Sequence, residues 1–176
     1  MQVLIPNPRR ISIVGSTGSG KTHLARRLAA RLALPLHELD EMRADAAQTA
    51  NPSAEFIGLV TNIVAGDSWI VDGHYRDVRS MIWHRADTIV WLNYSPFVIA
   101  SRLLRRFAAK KSGHAIGGAG NGANASWSRR LGRISRTFRE RQEYGDLLRS
   151  PEYRSATLVE LKSDAATEKW LACLGG

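Results

Sequence analysis

Residues 15–22 read Gly15-Ser16-Thr17-Gly18-Ser19-Gly20-Lys21-Thr22. The pattern is G-x-x-x-x-G-K-T, and its neighbours fix how it is read. Arg10 to Val14 (Arg-Ile-Ser-Ile-Val) is a short strand-like run that enters the glycine turn. Lys21 to Ala33 then places Leu24, Leu28 and Leu32 at i, i+4 and i+8, the spacing of one helix face, and Pro35 ends it. A strand, a glycine-rich turn and a helix together form a phosphate-binding loop of the Walker A type. The glycines let consecutive backbone N–H groups point at phosphate oxygens. The helix turns its positive dipole end toward the same anion. Lys21 is placed to reach the β- and γ-phosphates, and the Thr22 hydroxyl to take a position on Mg²⁺. The expected nucleotide-binding set is Gly15, Ser16, Thr17, Gly18, Ser19, Gly20, Lys21, Thr22 and the adjoining His23.

Outward from the loop, strands and helices alternate. Leu36 to Leu39 is a second short strand ending at Asp40. A polar, alanine-rich stretch follows, broken at Asn51-Pro52-Ser53, with Ser53 as the expected N-cap of a helix over Ala54 to Ala65. Trp69 to Val71 is a third strand, followed by Asp72-Gly73, and Asp87 to Leu92 is the clearest strand of all. Ser95-Pro96 starts a helix expected to reach about Lys110. Residues 112–126 are mostly Gly, Ala, Asn and Ser, and a further helix is expected over about Trp127 to Leu148. Thr157 to Leu161 is the last strand and Ala165 to Leu174 the last helix. The order β-α-β-α-β-α-β-α-α-β-α specifies an α/β fold with a parallel sheet covered on both faces.

Composition bounds the class. The chain has 176 residues, the size of one α/β domain, and is 44% apolar. No apolar run approaches the roughly 20 residues of a membrane span, and the N-terminus lacks signal-peptide order. The lone Cys173 makes no internal disulfide, so a reducing, cytoplasmic setting is expected. The net charge of +9 is concentrated in one place. From Arg102 to Arg141 there are nine Arg and two Lys against one acid, Glu140, a net +10 that leaves −1 for the rest of the chain. Such a segment suits phosphates or polyanions.

Four groups are candidates for chemistry. Asp72, at the end of the third strand, is placed to hold Mg²⁺ or its water shell; a turn residue is the plainer reading. Asp40 is placed either to bind the acceptor or to act as general base toward a hydroxyl, or else to cap a helix or form a turn. The arginines on either side of residues 112–126, including Arg102, Arg106, Arg129 and Arg133, form a basic lid over phosphates, a nucleic-acid surface, or a solvated face. The histidines show no metal spacing, and His74 gains interest only from its neighbours.

Asp72-Gly73-His74-Tyr75-Arg76 resembles the Asp-Gly-Phe-Pro-Arg element of the adenylate kinase family. The strand Ala86 to Leu92, with the helix carrying Arg102 and Arg106, is similar to that family's passage into its lid. Leu39-Asp40, the run Trp69 to Tyr75 and the basic lid also resemble the small proteins labelled DNA topology modulation proteins. The resemblance covers about residues 10 to 172. It implies a five-stranded parallel sheet in the order 2-3-1-4-5 and phosphoryl transfer from ATP with Mg²⁺. Arg76 would take the acceptor's anionic group, Lys21 and the lid arginines would act on the transferred phosphate, and Lys162-Ser163-Asp164 would lie near adenine. Tyr75 departs from the family's proline, fewer than 30 residues separate Asp40 from Trp69, and the lid has no cysteines. The leading expectation is a P-loop kinase for a nucleotide, nucleoside or other small acceptor. The second is an ATPase associated with nucleic acid, and the third a nucleotide-binding module without catalysis.

Overall fold

The computed structural model describes residues 8–102 and 141–174. Five strands form one sheet: β1 (Arg10–Gly15), β2 (Leu36–Glu38), β3 (Trp69–Asp72), β4 (Thr88–Leu92) and β5 (Thr157–Leu161). All pairings are parallel, in the order β2-β3-β1-β4-β5, as the resemblance implies. The helices with complete bounds are α1 (Lys21–Leu32), α2 (Leu39–Ala46), α3 (Pro52–Ala65), α4 (Arg76–Arg85) and α5 (Asp164–Ala172). Residues 96–102 and 141–148 are also helical.

A parallel sheet with helices on both faces needs apolar side chains pointing both ways, and the strands supply them. Ile11 and Ile13 of β1, Ile70 of β3, and Val90 and Leu92 of β4 pack with Leu24 and Leu28 of α1 and Trp170 of α5. Val14, Trp69, Val71, Ile89 and Trp91 face the other way, against Leu39, Phe56, Val60, Ile82 and Trp83. Both cores are closed by the period of two along each strand.

Three local expectations change. The second strand was expected to reach Asp40, yet pairing with β3 stops at Glu38, opposite Asp72. Past Asp72 the chain turns at Gly73, with φ of 115°, so Leu39 has no further ladder partner. Leu39 instead opens α2, and Asp40 and Glu41 lie in its first turn, where the helix dipole favours negative charge. The cap of α3 is Asn51, not Ser53. Its side chain accepts from the Ala54 N–H at 3.3 Å, and Pro52 takes the first helical position. Residues 76–85, unassigned in the sequence beyond the strand–helix alternation, form α4, with Val78 and Ile82 buried one turn apart.

Of the expected basic lid, 102–141, the end residues Arg102 and Arg141 are within the described part. Arg106, Arg129, Arg133 and the glycine-rich 112–126 lie outside it. Among the described residues no helix is long and apolar enough to cross a membrane.

At the N-terminal edge of the sheet, one residue joins three strands. The Asp87 carboxylate accepts from the backbone N–H groups of Arg9 and Arg10, at 3.1 and 2.8 Å. Its own N–H donates to the Arg10 carbonyl at 3.0 Å, and its carbonyl accepts from Thr157 N–H at 2.8 Å. Removing the carboxylate leaves two backbone donors to find water at a half-covered edge. Asp87→Ala is expected to lower the unfolding free energy by about 1–3 kcal/mol, read from urea denaturation. A midpoint equal to that of the parent chain would show that the carboxylate does not hold this edge.

Candidate active site

Parallel register brings the strand ends into line. Glu38 pairs with Asp72, Asp72 with Ile13, and Gly15 with Leu92. The glycine-rich loop leaves β1 at this edge, next to the point where the order of connection reverses. In open α/β sheets that is where ligands sit.

The loop takes its shape from three glycines at positive φ: Gly15 at 152°, Gly18 at 86° and Gly20 at 96°. The Lys21 ammonium donates to the carbonyls of Gly15 at 2.8 Å and Ser16 at 3.2 Å, so the side chain arches back over the loop. Thr22 Oγ1 donates to Asp72 Oδ2 at 2.6 Å. The structure thus brings Lys21, Thr22 and Asp72 together, although Asp72 is fifty residues further along the chain.

Asp72 is 5% exposed, and its Oδ1 is buried with no hydrogen-bond partner. Burial raises its carboxyl above the usual range. The Thr22 hydrogen bond and the Lys21 charge oppose that rise, while Glu38 and Asp40 add to it. A hydroxyl and a buried carboxylate with an unused oxygen are hard oxygen donors beside a phosphate loop. That set fits Mg²⁺, which takes one or two protein oxygens and completes its shell with phosphates and water. Among the described residues no group of three or more His, Cys, Asp or Glu is arranged to hold a metal by itself.

A cavity of about 530 Å³ opens beside these groups, lined by the loop, Glu38, Asp40, Asp72, His74 and Tyr75. Tyr75 O–H donates to Asp40 Oδ1 at 2.8 Å. The Tyr75 ring is gripped by Phe56, edge-on with centroids 5.3 Å apart, and by the Arg43 guanidinium 4.7 Å above it. Burial and the Asp40 carboxylate push the Tyr75 hydroxyl up to about 12, so it stays a donor to Asp40. The helical turn that removed Asp40 from the strand is therefore what sets it into this cavity. Burial, with the charges of Lys21 and Arg79, brings the His74 imidazole down to about 4. Its ring packs edge-on against Tyr144 at 5.0 Å.

Arg76 is placed differently from the rest. It opens α4 with its side chain 76% exposed, and donates to Glu143 at 2.9 Å. Arg79 donates to the other oxygen of Glu143 at 3.2 Å. Burial would raise the Glu143 carboxyl, but these two arginines outweigh it and hold it below the usual range.

Arg102 stands on the other side of the loop. Its guanidinium donates to the Ser19 carbonyl at 2.9 Å and to both oxygens of Asp164, and lies 4.6 Å over the Tyr94 ring. Together with His23, Tyr94, Asp164 and Thr167 it lines a second cavity of about 390 Å³. His23 borders both cavities. Of the segment Lys162-Ser163-Asp164, Asp164 faces this second cavity.

Sequence reasoning missed Glu38, Glu143 and Tyr94, and undervalued His74 and Tyr75. For the last two the signal was available, because they directly follow the Asp72-Gly73 turn at the strand edge. Glu143 had no signal, since only the packing of residues 141–148 against α4 brings it to the arginines.

No family model matches the chain, and no curated protein matches it. Solved structures do. Shikimate kinase from Bacteroides thetaiotaomicron superposes with a TM-score of 0.54 at 16% identity, over 94% of this chain and 95% of that one. Shikimate kinase from Aquifex aeolicus gives 0.54 at 15%, over 93% and 91%. A gluconokinase from Sinorhizobium meliloti gives 0.52 at 17%, over 96% and 91%. The likeness is one of fold, a five-stranded parallel sheet in the order 2-3-1-4-5 with helices on both sides.

The depressed His74 has a consequence for stability. Below pH 6.5 the unfolded chain binds a proton that the folded chain refuses until about pH 4. Its contribution is whole above pH 6.5 and is lost as the pH falls toward 4. Urea unfolding at pH 7 and at the acid end of that window should show the parent chain losing more stability than His74→Gln. Equal losses would show that this imidazole titrates normally.

Proposed function

We propose that the protein is an ATP-dependent phosphotransferase that moves the γ-phosphate to the hydroxyl of a small acceptor. One observation carries this reading: Lys21, Thr22 and Asp72 share a single cavity with the hydrogen-bonded pair Asp40–Tyr75. A donor-phosphate cradle and a candidate base therefore face the same space. The P-loop kinase fold supports it, since the solved neighbours are kinases named for small molecules.

In this mechanism the N–H groups of residues 15–22 bind the donor phosphates, and Lys21 neutralises charge on the β- and γ-oxygens. Thr22 and Asp72 would hold Mg²⁺, which when bound screens the phosphate charge. Asp40 accepts the proton of the acceptor hydroxyl, while Tyr75 fixes the orientation of the carboxylate. The acceptor oxygen forms its bond to the γ-phosphorus as the bond to the β-phosphate bridging oxygen breaks, leaving ADP. Asp40 is exposed to solvent and can return its proton there. Arg102 braces the loop through the Ser19 carbonyl. Arg106, Arg129 and Arg133 are assigned to the donor phosphates on sequence grounds, in a lid over 102–141 of one 176-residue domain. The cavity beside Tyr94 and Asp164 is assigned to the nucleoside. The nucleic-acid reading rests on the basic segment, and no feature of the described site favours it.

Lys21→Ala should abolish ADP formation in the presence of acceptor. Asp40→Asn should lower kcat by about 10²–10⁴-fold while leaving the Kd for ATP unchanged in calorimetry. A screen of hydroxyl acceptors with ATP and Mg²⁺ that never raises ADP above the water-only rate would sink the kinase reading.

A further inference from the structure

We infer that Arg43 is a positioning residue for the phosphoryl transfer: it holds the Tyr75 ring, and through the Tyr75 hydroxyl it sets the Asp40 carboxylate toward the acceptor. The inference rests on the phosphotransferase reading above and adds a residue to the machinery of that site.

The need for such a device comes from α2. The helix is 8 residues long and buries only Leu39 and Ala46. A helix that short is unstable by itself in water and depends on its tertiary contacts. Asp40 sits in its first turn and is exposed. An exposed carboxylate has no fixed direction of its own, yet a general base must meet the acceptor proton within hydrogen-bond reach.

Arg43 follows Asp40 at the i+3 position, so the two side chains are neighbours on one face of α2. Both reach Tyr75, which stands in the turn between β3 and α4. Asp40 Oδ1 accepts from the Tyr75 hydroxyl at 2.8 Å, and the Arg43 guanidinium lies 4.7 Å from the ring centroid. One helix thus grips the tyrosine at both ends. Arg43 is itself anchored on the neighbouring helices. Its guanidinium lies 5.1 Å from the Phe56 ring centroid of α3, and its Nη1 is 3.5 Å from the Asp77 carboxylate in the first turn of α4. Phe56 in turn meets the Tyr75 ring edge-on at 5.3 Å. An arginine suits this place, since its planar group stacks on rings while its N–H edge faces a carboxylate.

Exposure decides what the cluster is for. The Arg43 and Asp77 side chains are 41% and 56% exposed, and an ion pair so open to water contributes little to stability. What the guanidinium restricts is the swing of the Tyr75 ring, and with it the point where the Tyr75 hydroxyl meets Asp40. A displacement of about 1 Å at a reacting group can cost about 10²-fold in rate. A contact of small energy therefore has a large effect on turnover.

The test compares the full parent chain with Arg43→Met, Tyr75→Phe, the double variant and Asp77→Asn. Each is assayed with ATP, Mg²⁺ and the compound from a panel of glycerol, glucose, gluconate and adenosine that gives the parent its highest rate of ADP release. Arg43→Met should lower kcat by about 10–100-fold, with the Kd for ATP in calorimetry at the parent value. A Kd that rises in step with the fall in kcat would mark a general loss of structure and overturn the inference. Tyr75→Phe keeps the ring and loses the hydroxyl. If Arg43 acts through that hydroxyl, adding Arg43→Met to Tyr75→Phe should lower kcat by no more than about twofold further. Losses that multiply in the double variant would overturn the route through Tyr75. Asp77→Asn leaves Arg43 on the two rings and should cost less than Arg43→Met; an equal cost would assign the effect to the ion pair and overturn the inference. Unchanged kcat in Arg43→Met would also overturn it and leave the kinase reading standing. ADP at the water-only rate from the parent chain with every acceptor would overturn both.

Discussion

The chain leaves β1 at Gly15 with φ of 152°, and a side chain has no room there. A Cβ would stand 2.9 Å from Ser19 Oγ and 3.0 Å from the Leu92 carbonyl. That carbonyl belongs to β4, the strand paired with Gly15 in register. The loop is therefore pressed against the sheet edge and does not float above it. Lys21 can then reach back to the loop carbonyls, and Thr22 can meet Asp72 across from β3. The sheet sets where the carboxylate is, and the glycine sets where the hydroxyl is. A short hydrogen bond between them records that the two agree.

Much of this was legible in the sequence, because the signals are local and strong. The loop pattern, the apolar strand runs and the Asp72-Gly73 turn each depend on a few adjacent residues. What was misread depends on contacts that sequence does not display. Asp40 was taken as the end of a short strand over Leu36 to Leu39. The strand is ended by its neighbour, which turns away at Gly73, and that is a tertiary event. α2 hides for a related reason: it buries only Leu39 and Ala46, too few for a periodic stripe. α4 was readable, since Val78 and Ile82 lie four apart, but Arg79 and Ser80 between them blur the stripe. Asn51 and Ser53 are both good caps, and Pro52 decides between them by taking the first helical position.

The charges of the site are sorted into layers. Next to the phosphate loop stand Lys21 and Asp72, each answered by loop or hydroxyl partners. One step out stand Asp40 and Tyr75, coupled to each other and clamped by Phe56 and Arg43. Beyond these, Glu143 gathers Arg76 and Arg79 into an ion-pair cluster at the base of α4. Exposed ion pairs of this kind add little stability on their own. Their effect is positional: Glu143 holds Arg76 and Arg79 together beside α4.

The sheet ends also differ in what they can tolerate. At one end Asp87 ties three strands together through backbone groups. At the other, Glu38 and Asp72 are the last ladder residues, and Asp40, His74 and Tyr75 come after the pairing has ceased. Side chains that follow the last rung can be exchanged without disturbing any rung. The scaffold is thus separable from its recognition chemistry. A designer seeking a different acceptor could vary position 74 and keep the Asp40–Tyr75 pair, with the strands and the glycine loop left as the fixed chassis.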